Sequence, residues 1–145
     1  FPSQEPEKCE MPSLLMEGLG QENGICFRNE DYLVVFDNED QIDKISPDFN
    51  KLALLDLRGV IVTSPGKDYD FVSRAFFPKY GILEDPVTGS AHTKLIPYWS
   101  KKLNKSELKA KQISKRGGEL FCKDKIDRVY ISGYAKLYMI GEIQL

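Results

Sequence analysis

Between Ser90 and Leu103 apolar residues recur four apart, with Ala91, Leu95, Trp99 and Leu103 forming one stripe, and this spacing predicts the single long helix of the chain. Pro97 lies inside that stretch, removes a backbone donor and predicts a kink or a short first segment, since an unsupported helix loses about 3 kcal/mol there. Earlier, the apolar runs Gly24 to Arg28 and Tyr32 to Phe36, separated by Asn29-Glu30-Asp31, read as a hairpin. Pro12 to Gly20 reads as a short helix ending at glycines, and Asp48 to Asp56 as another with Phe49, Leu52 and Leu55 on one face. The β-branched run Val60-Ile61-Val62 within Leu57 to Ser64 predicts a buried strand broken by Pro65-Gly66, with Tyr69 to Phe77 as its partner.

After the long helix, Leu108 to Ser114, Glu119 to Lys123, Arg128 to Ser132 and Lys136 to Ile143 read as strands, the last reached through a bulge at Gly133. Phe1 to Pro12, rich in Pro and Glu, reads as an extended linker. Strands, one central helix and then more strands define an α+β layout, neither alternating βα nor all-β.

Composition narrows the classes of function. At 145 residues, 41% hydrophobic and 29% charged, the chain fits one globular domain. It holds no apolar run of membrane-spanning length and no secretory signal pattern, so it reads as soluble and cytoplasmic, with no membrane partner. The net charge of −2 gives no global field for nucleic acid. Lysines are dense from Lys94 to Lys115, but without interleaved aromatics they read as a solvated face, and no nucleic-acid partner is expected. Cys9, Cys26 and Cys122 are scattered and odd in number, without metal-ligand spacing, and read as incidental or buried thiols; no metal site is expected.

The candidate chemistry sits at Glu84-Asp85-Pro86-Val87-Thr88-Gly89-Ser90-Ala91-His92, a strand-to-helix junction. Pro86 disfavours helix at Asp85, Gly89 permits a tight turn, and the first-turn N–H groups with the positive helix end favour a carboxylate or phosphate. Gly89, Ser90 and Ala91 are the expected anion-binding residues, with Thr88 adding a hydroxyl. Asp85 beside them is the candidate acid–base group; on local physics alone an N-terminal cap is the commoner role for such a carboxylate. His92, the only histidine, is expected to be neutral and structural, because the helix end disfavours its charged form. Glu84 is expected in solvent or an ion pair, and Arg74 and Arg116 in surface or salt-bridge roles.

The same string resembles, nearly letter for letter, the signature of the phenazine-biosynthesis isomerase-like (PhzF-like) family within the diaminopimelate epimerase superfamily. Ser73-Arg74-Ala75-Phe76-Phe77-Pro78, Ser114-Lys115-Arg116-Gly117-Gly118-Glu119-Leu120 and the opening Phe1-Pro2 extend the resemblance over essentially the whole chain. It implies a diaminopimelate epimerase-like half, a curved, barrel-like sheet wrapped around one central helix. It also implies a C-terminal half of a two-half isomerase, one domain over residues 1–145 with 1–12 as the interdomain segment.

The implied activity is cofactor-independent proton transfer on a small carboxylate-bearing metabolite, with Asp85 in the place held by a thiol in cysteine-type epimerases. The family's main acid–base glutamate belongs to the first half and has no counterpart here, so the half-site alone does not complete a two-base cycle. The apolar face that a first half would cover predicts self-association as a homodimer. The rival reading is a non-catalytic anion-binding or assembly module.

Overall fold

A computed structural model describes residues 1–144. Its strands are β1 (Glu7–Lys8), β2 (Ile25–Arg28), β3 (Tyr32–Val35), β4 (Val60–Ser64), β5 (Phe71–Phe76), β6 (Glu107–Gln112), β7 (Gly118–Asp124) and β8 (Val129–Ser132). Helices α1 (Ser13–Leu19), α2 (Glu39–Asp43), α3 (Phe49–Ala53) and α4 (Gly89–Leu103) complete it. All eight strands form one sheet in sequence order. The pairs β3–β4 and β5–β6 are parallel and the rest antiparallel. Each parallel pair is joined by a helical crossover, α2 and α3 for the first and α4 for the second, as parallel neighbours require.

The sheet curls around α4. Ala91, Leu95, Ile96 and Trp99 pack against Leu33, Ile61, Phe71, Ala110, Leu120 and Val129, contributed by strands from β3 to β8. Trp99 stacks on Phe71 with ring centroids 5.7 Å apart, and its indole N–H donates to Thr63 Oγ1 at 3.0 Å. On the other side of the sheet, Leu15, Leu19, Ile42, Ile45 and Leu52 of the short helices and their loops cover Val34, Val60, Val62, Val72 and Phe76. β3 and β4 are therefore buried on both faces, which is why Val60-Ile61-Val62 is continuous rather than alternating.

Phe1 to Cys9 lies along both ends of the sheet. Phe1 and Val129 exchange backbone hydrogen bonds, Ser3 N–H donates to the Asp127 carbonyl, and Cys9 N–H donates to the Cys26 carbonyl. The segment expected to be an extended linker is extended, and it sews β8 to β2. The predicted kink at Pro97 is replaced by a different solution. α4 runs unbroken from Gly89 to Leu103, and the Thr93 carbonyl, left without its helical donor, accepts Gln4 N–H at 3.0 Å.

The strand expected over Lys136 to Ile143 does not form, and Gly133 makes no bulge. Phe1 to Ser3 pairs with Asp127 to Val129 at the start of β8, the tail beyond Ser132 pairs with no strand, and Tyr138, Ile140 and Ile143 are exposed; strand-prone residues form a strand only where a partner edge meets them. Helix α2 is not anticipated by the apolar pattern. Its signal is the capping box Asn38-x-x-Gln41, in which Asn38 Oδ1 accepts Gln41 N–H while Gln41 Oε1 accepts Asn38 N–H.

Candidate active site

β5 ends at Phe76, the chain turns through a short 3₁₀ segment at Pro78–Tyr80, and Asp85 N–H then bonds back to the Ala75 carbonyl at 2.9 Å. Gln112, buried at the end of β6, pins the loop. Its Nε2 donates to the Asp85 carbonyl at 2.6 Å and reaches Thr88 Oγ1 at 3.0 Å, while its Oε1 accepts Thr88 N–H at 2.8 Å. The loop between Asp85 and α4 is thus fixed by one side chain that satisfies groups at both its ends.

Asp85 is half-buried and does not cap the helix. Its Oδ2 accepts the Thr88 hydroxyl at 2.6 Å, and among the described residues its Oδ1 takes no hydrogen bond and the carboxylate forms no ion pair. Thr88 is the N-cap residue of α4, yet its hydroxyl goes to Asp85, so no side chain caps the first turn. Among the described residues no side chain accepts from the N–H groups of Gly89, Ser90 and Ala91. Gly89 was expected to serve a tight turn, but its φ is not positive, and a Cβ placed there would enter open space. The chain turns at Pro86 to Thr88 instead, and the space beside Gly89 is open.

Ser90 is held from behind by a cluster that local patterning does not reveal. Arg58 Nη2 donates to Ser90 Oγ at 3.3 Å, and the same guanidinium grips Asp31 through Nε at 2.8 Å and Nη2 at 2.6 Å. Lys94 Nζ lies 3.2 Å from Asp31 and donates to Gln4 Oε1 at 3.0 Å and to the Ser90 carbonyl at 3.4 Å. Asp31 and Lys94 are fully buried. Hydrogen bonding to Asp31 raises the Arg58 pKa above its ordinary value against the opposing effect of burial. Lys94 therefore departs from the solvated lysine face, to which the exposed Lys101, Lys102, Lys105, Lys109 and Lys115 do belong. The one sequence hint was Lys94 falling on the apolar side of α4.

His92 is fully buried, its Nδ1–H donates to the Thr88 carbonyl at 2.7 Å, and burial lowers its pKa to about 4. It is the neutral, structural residue expected. Glu84 pairs with Arg74 through bonds of 2.7 and 3.1 Å, and Arg74 Nη1 also donates to the Ile42 and Ile45 carbonyls, so this pair ties the loop to α2. Arg116 is exposed and lines an open cleft of about 440 Å³ with Glu84, Pro86, Ser114 and Lys115, next to the motif. Among the described residues no group of three or more His, Cys, Asp or Glu is placed to hold a metal ion, and no helix is long and apolar enough to cross a membrane.

The curved α+β sheet around one helix is an architecture shared with solved relatives. A phenazine biosynthesis protein of Enterococcus faecalis, of the PhzF family, is 48% identical with a TM-score of 0.91; this chain aligns over its whole length to 56% of that one. A Clostridium difficile protein described as a putative phenazine biosynthesis PhzC/PhzF protein is 38% identical with a TM-score of 0.88 over the same shares. An uncharacterized isomerase of Pseudomonas aeruginosa is 48% identical over all of this chain and 56% of its own length. Residues 24–141 match the family described as phenazine biosynthesis-like protein, and the chain belongs to that family. It spans about half the length of the bacterial curated relatives it matches along its whole length (56% of each).

Proposed function

We propose that this chain supplies one wall of a cofactor-independent isomerase site that moves a proton on a small, carboxylate-bearing metabolite in the cytoplasm. Asp85 is the acid–base group. The Thr88 hydroxyl bonded to its Oδ2 steadies the carboxylate and leaves Oδ1 to take a proton from a substrate carbon conjugated or adjacent to the substrate's carboxylate. Negative charge then spreads into that carboxylate, where the first-turn N–H groups of Gly89, Ser90 and Ala91 receive it.

Ser90 Oγ accepts from Arg58, so its own hydrogen is free to donate to the substrate. The proton returns at a different position or face from a second acid–base group, which the family resemblance assigns to a first half opposite Asp85. In this reading the chain alone is inactive, and the dimer expected from the sequence belongs to the same proposal.

The observation that carries the reading is the pairing of an uncapped α4 N-terminus with a carboxylate whose nearest partner is the cap residue itself. Steady-state kinetics on the protein containing both halves test it. Asp85→Asn lowers kcat about 10²- to 10⁴-fold with little change in KM, whereas Ser90→Ala acts mainly on KM. Ligand binding without turnover by the intact two-half protein favours the anion-binding module instead.

A further inference from the structure

We propose that Cys9 and Cys26 form an oxidative modification site, a cross-strand thiol pair that a hydroperoxide converts to a disulfide. Seventeen residues apart in sequence, the thiols are 3.5 Å apart in the fold. Register explains the approach. Lys8 faces Phe27 across the antiparallel β1–β2 pair, so the next step places Cys9 opposite Cys26, and Cys9 N–H donates to the Cys26 carbonyl at 3.0 Å. Directly opposed antiparallel residues have Cα atoms roughly 4.5–5.5 Å apart, inside the roughly 4.4–6.8 Å range of disulfides, so only the side chains need rotate.

The environments of the two sulfurs divide the chemistry between them. Cys9 is partly exposed and meets the oxidant, while Cys26 is buried in the core on the side away from α4. Burial and the neighbouring Cys9 push the Cys26 thiol up to about 12, so it is the poorer first nucleophile. The Cys9 thiolate attacks one peroxide oxygen, giving a sulfenic acid and releasing the other oxygen as water or an alcohol. Cys26 then loses its proton as its sulfur attacks the Cys9 sulfur, the S–O bond breaks, and water leaves. Two thiols are oxidised by two electrons and one peroxide is reduced. Cys122 takes no part, because it is buried in the separate cluster around α4.

The bond would staple the segment that holds the back of the candidate site. Gln4, five residues before Cys9, bonds to Thr93 and Lys94 on α4. Oxidation is therefore expected to raise hydrogen-exchange protection along Phe1 to Cys9, and reduction to reverse it.

The test is to treat the reduced protein with hydrogen peroxide and map it unreduced by mass spectrometry after cleavage at glutamate, since Glu10, Glu17 and Glu22 separate the two thiols. The expected product is a Cys9–Cys26 linked peptide pair, two hydrogens lighter than the free peptides, with Cys122 still a thiol. It disappears in Cys9→Ser and after treatment with dithiothreitol, and it forms with slowed amide exchange at Gln4 and Cys9. A sulfinate on Cys9 with Cys26 unreacted, a disulfide involving Cys122, or no reaction of either thiol would each overturn the proposal.

Discussion

Gln4 donates its backbone N–H to the Thr93 carbonyl at 3.0 Å, filling the hydrogen bond that Pro97 cannot make within α4. The Gln4 side chain continues the contact, with Oε1 3.0 Å from Lys94 Nζ and 2.7 Å from the Thr93 hydroxyl. An extended segment near the start of the chain is thereby part of the helix on which the candidate site is built. Gln4→Ala removes the acceptor from a buried ammonium and is expected to cost about 1–3 kcal/mol. A lowered urea midpoint with an unchanged slope is the expected result, and Gln4→Glu, which keeps an acceptor, is expected to lose less.

Asp31 is buried between Arg58 and Lys94, and removing it leaves the buried Lys94 with only the exposed Glu30 carboxylate, 3.5 Å away, as counter-ion. Asp31→Ala is expected to destabilise the protein by about 3–5 kcal/mol. Adding Lys94→Met removes the stranded charge, and the double variant is expected to recover more than half of that loss, because Arg58 is partly exposed and still has Glu30 nearby. Denaturant titration of the single and double variants measures this directly. A double variant no more stable than Asp31→Ala would show that the buried charge is not what the cluster manages.

Burial holds the His92 pKa down to about 4 from 6.5. The unfolded chain then binds the proton more readily than the folded one between these values, so stability falls as pH drops from 6.5 towards 4 and is complete above that window. Between pH 6.5 and pH 5 the loss is about 1.5 kcal/mol on this basis. Urea unfolding across that interval should show it, and His92→Asn should flatten the dependence. Since the chain has one histidine, its imidazole NMR signals report the same property directly: no titration down to pH 5 and a proton fixed on Nδ1.

Gly89 offers a separation of stability from binding. A Cβ there meets nothing within 4 Å, and its backbone is compatible with any residue, so Gly89→Ala should leave the thermal midpoint unchanged or slightly raised. The added methyl would enter the space over the first-turn N–H groups, where the proposed function puts the substrate carboxylate. KM for the two-half protein is therefore expected to rise severalfold. A loss of folded protein instead would mean that Gly89 serves the backbone and not the cradle.

The parts of this fold legible in the sequence are those whose signal is local. The four-residue stripe of α4, the continuous Val60-Ile61-Val62 run and the junction at Asp85 each depend on neighbours a few residues away. Asp31, Arg58 and Lys94 form one cluster from three distant parts of the chain, and apart from the place of Lys94 on the apolar side of α4 nothing near each residue marks it. The tail from Lys136 to Ile143 fails for the complementary reason. Its residues suit a strand, but strand formation depends on meeting a partner edge, which no local pattern reports, and the tail pairs with none. The thiols of Cys9 and Cys26 were unpaired on spacing alone; the β1–β2 register brings them together.

The most direct measurement is deuterium incorporation from D₂O into a panel of small carboxylates with a C–H adjacent to or conjugated with the carboxylate, catalysed by the protein containing both halves without added cofactor. The account predicts incorporation at one substrate carbon, slowed at least about 10²-fold by Asp85→Asn and absent with this chain alone. Undiminished incorporation by the Asp85→Asn protein would contradict it.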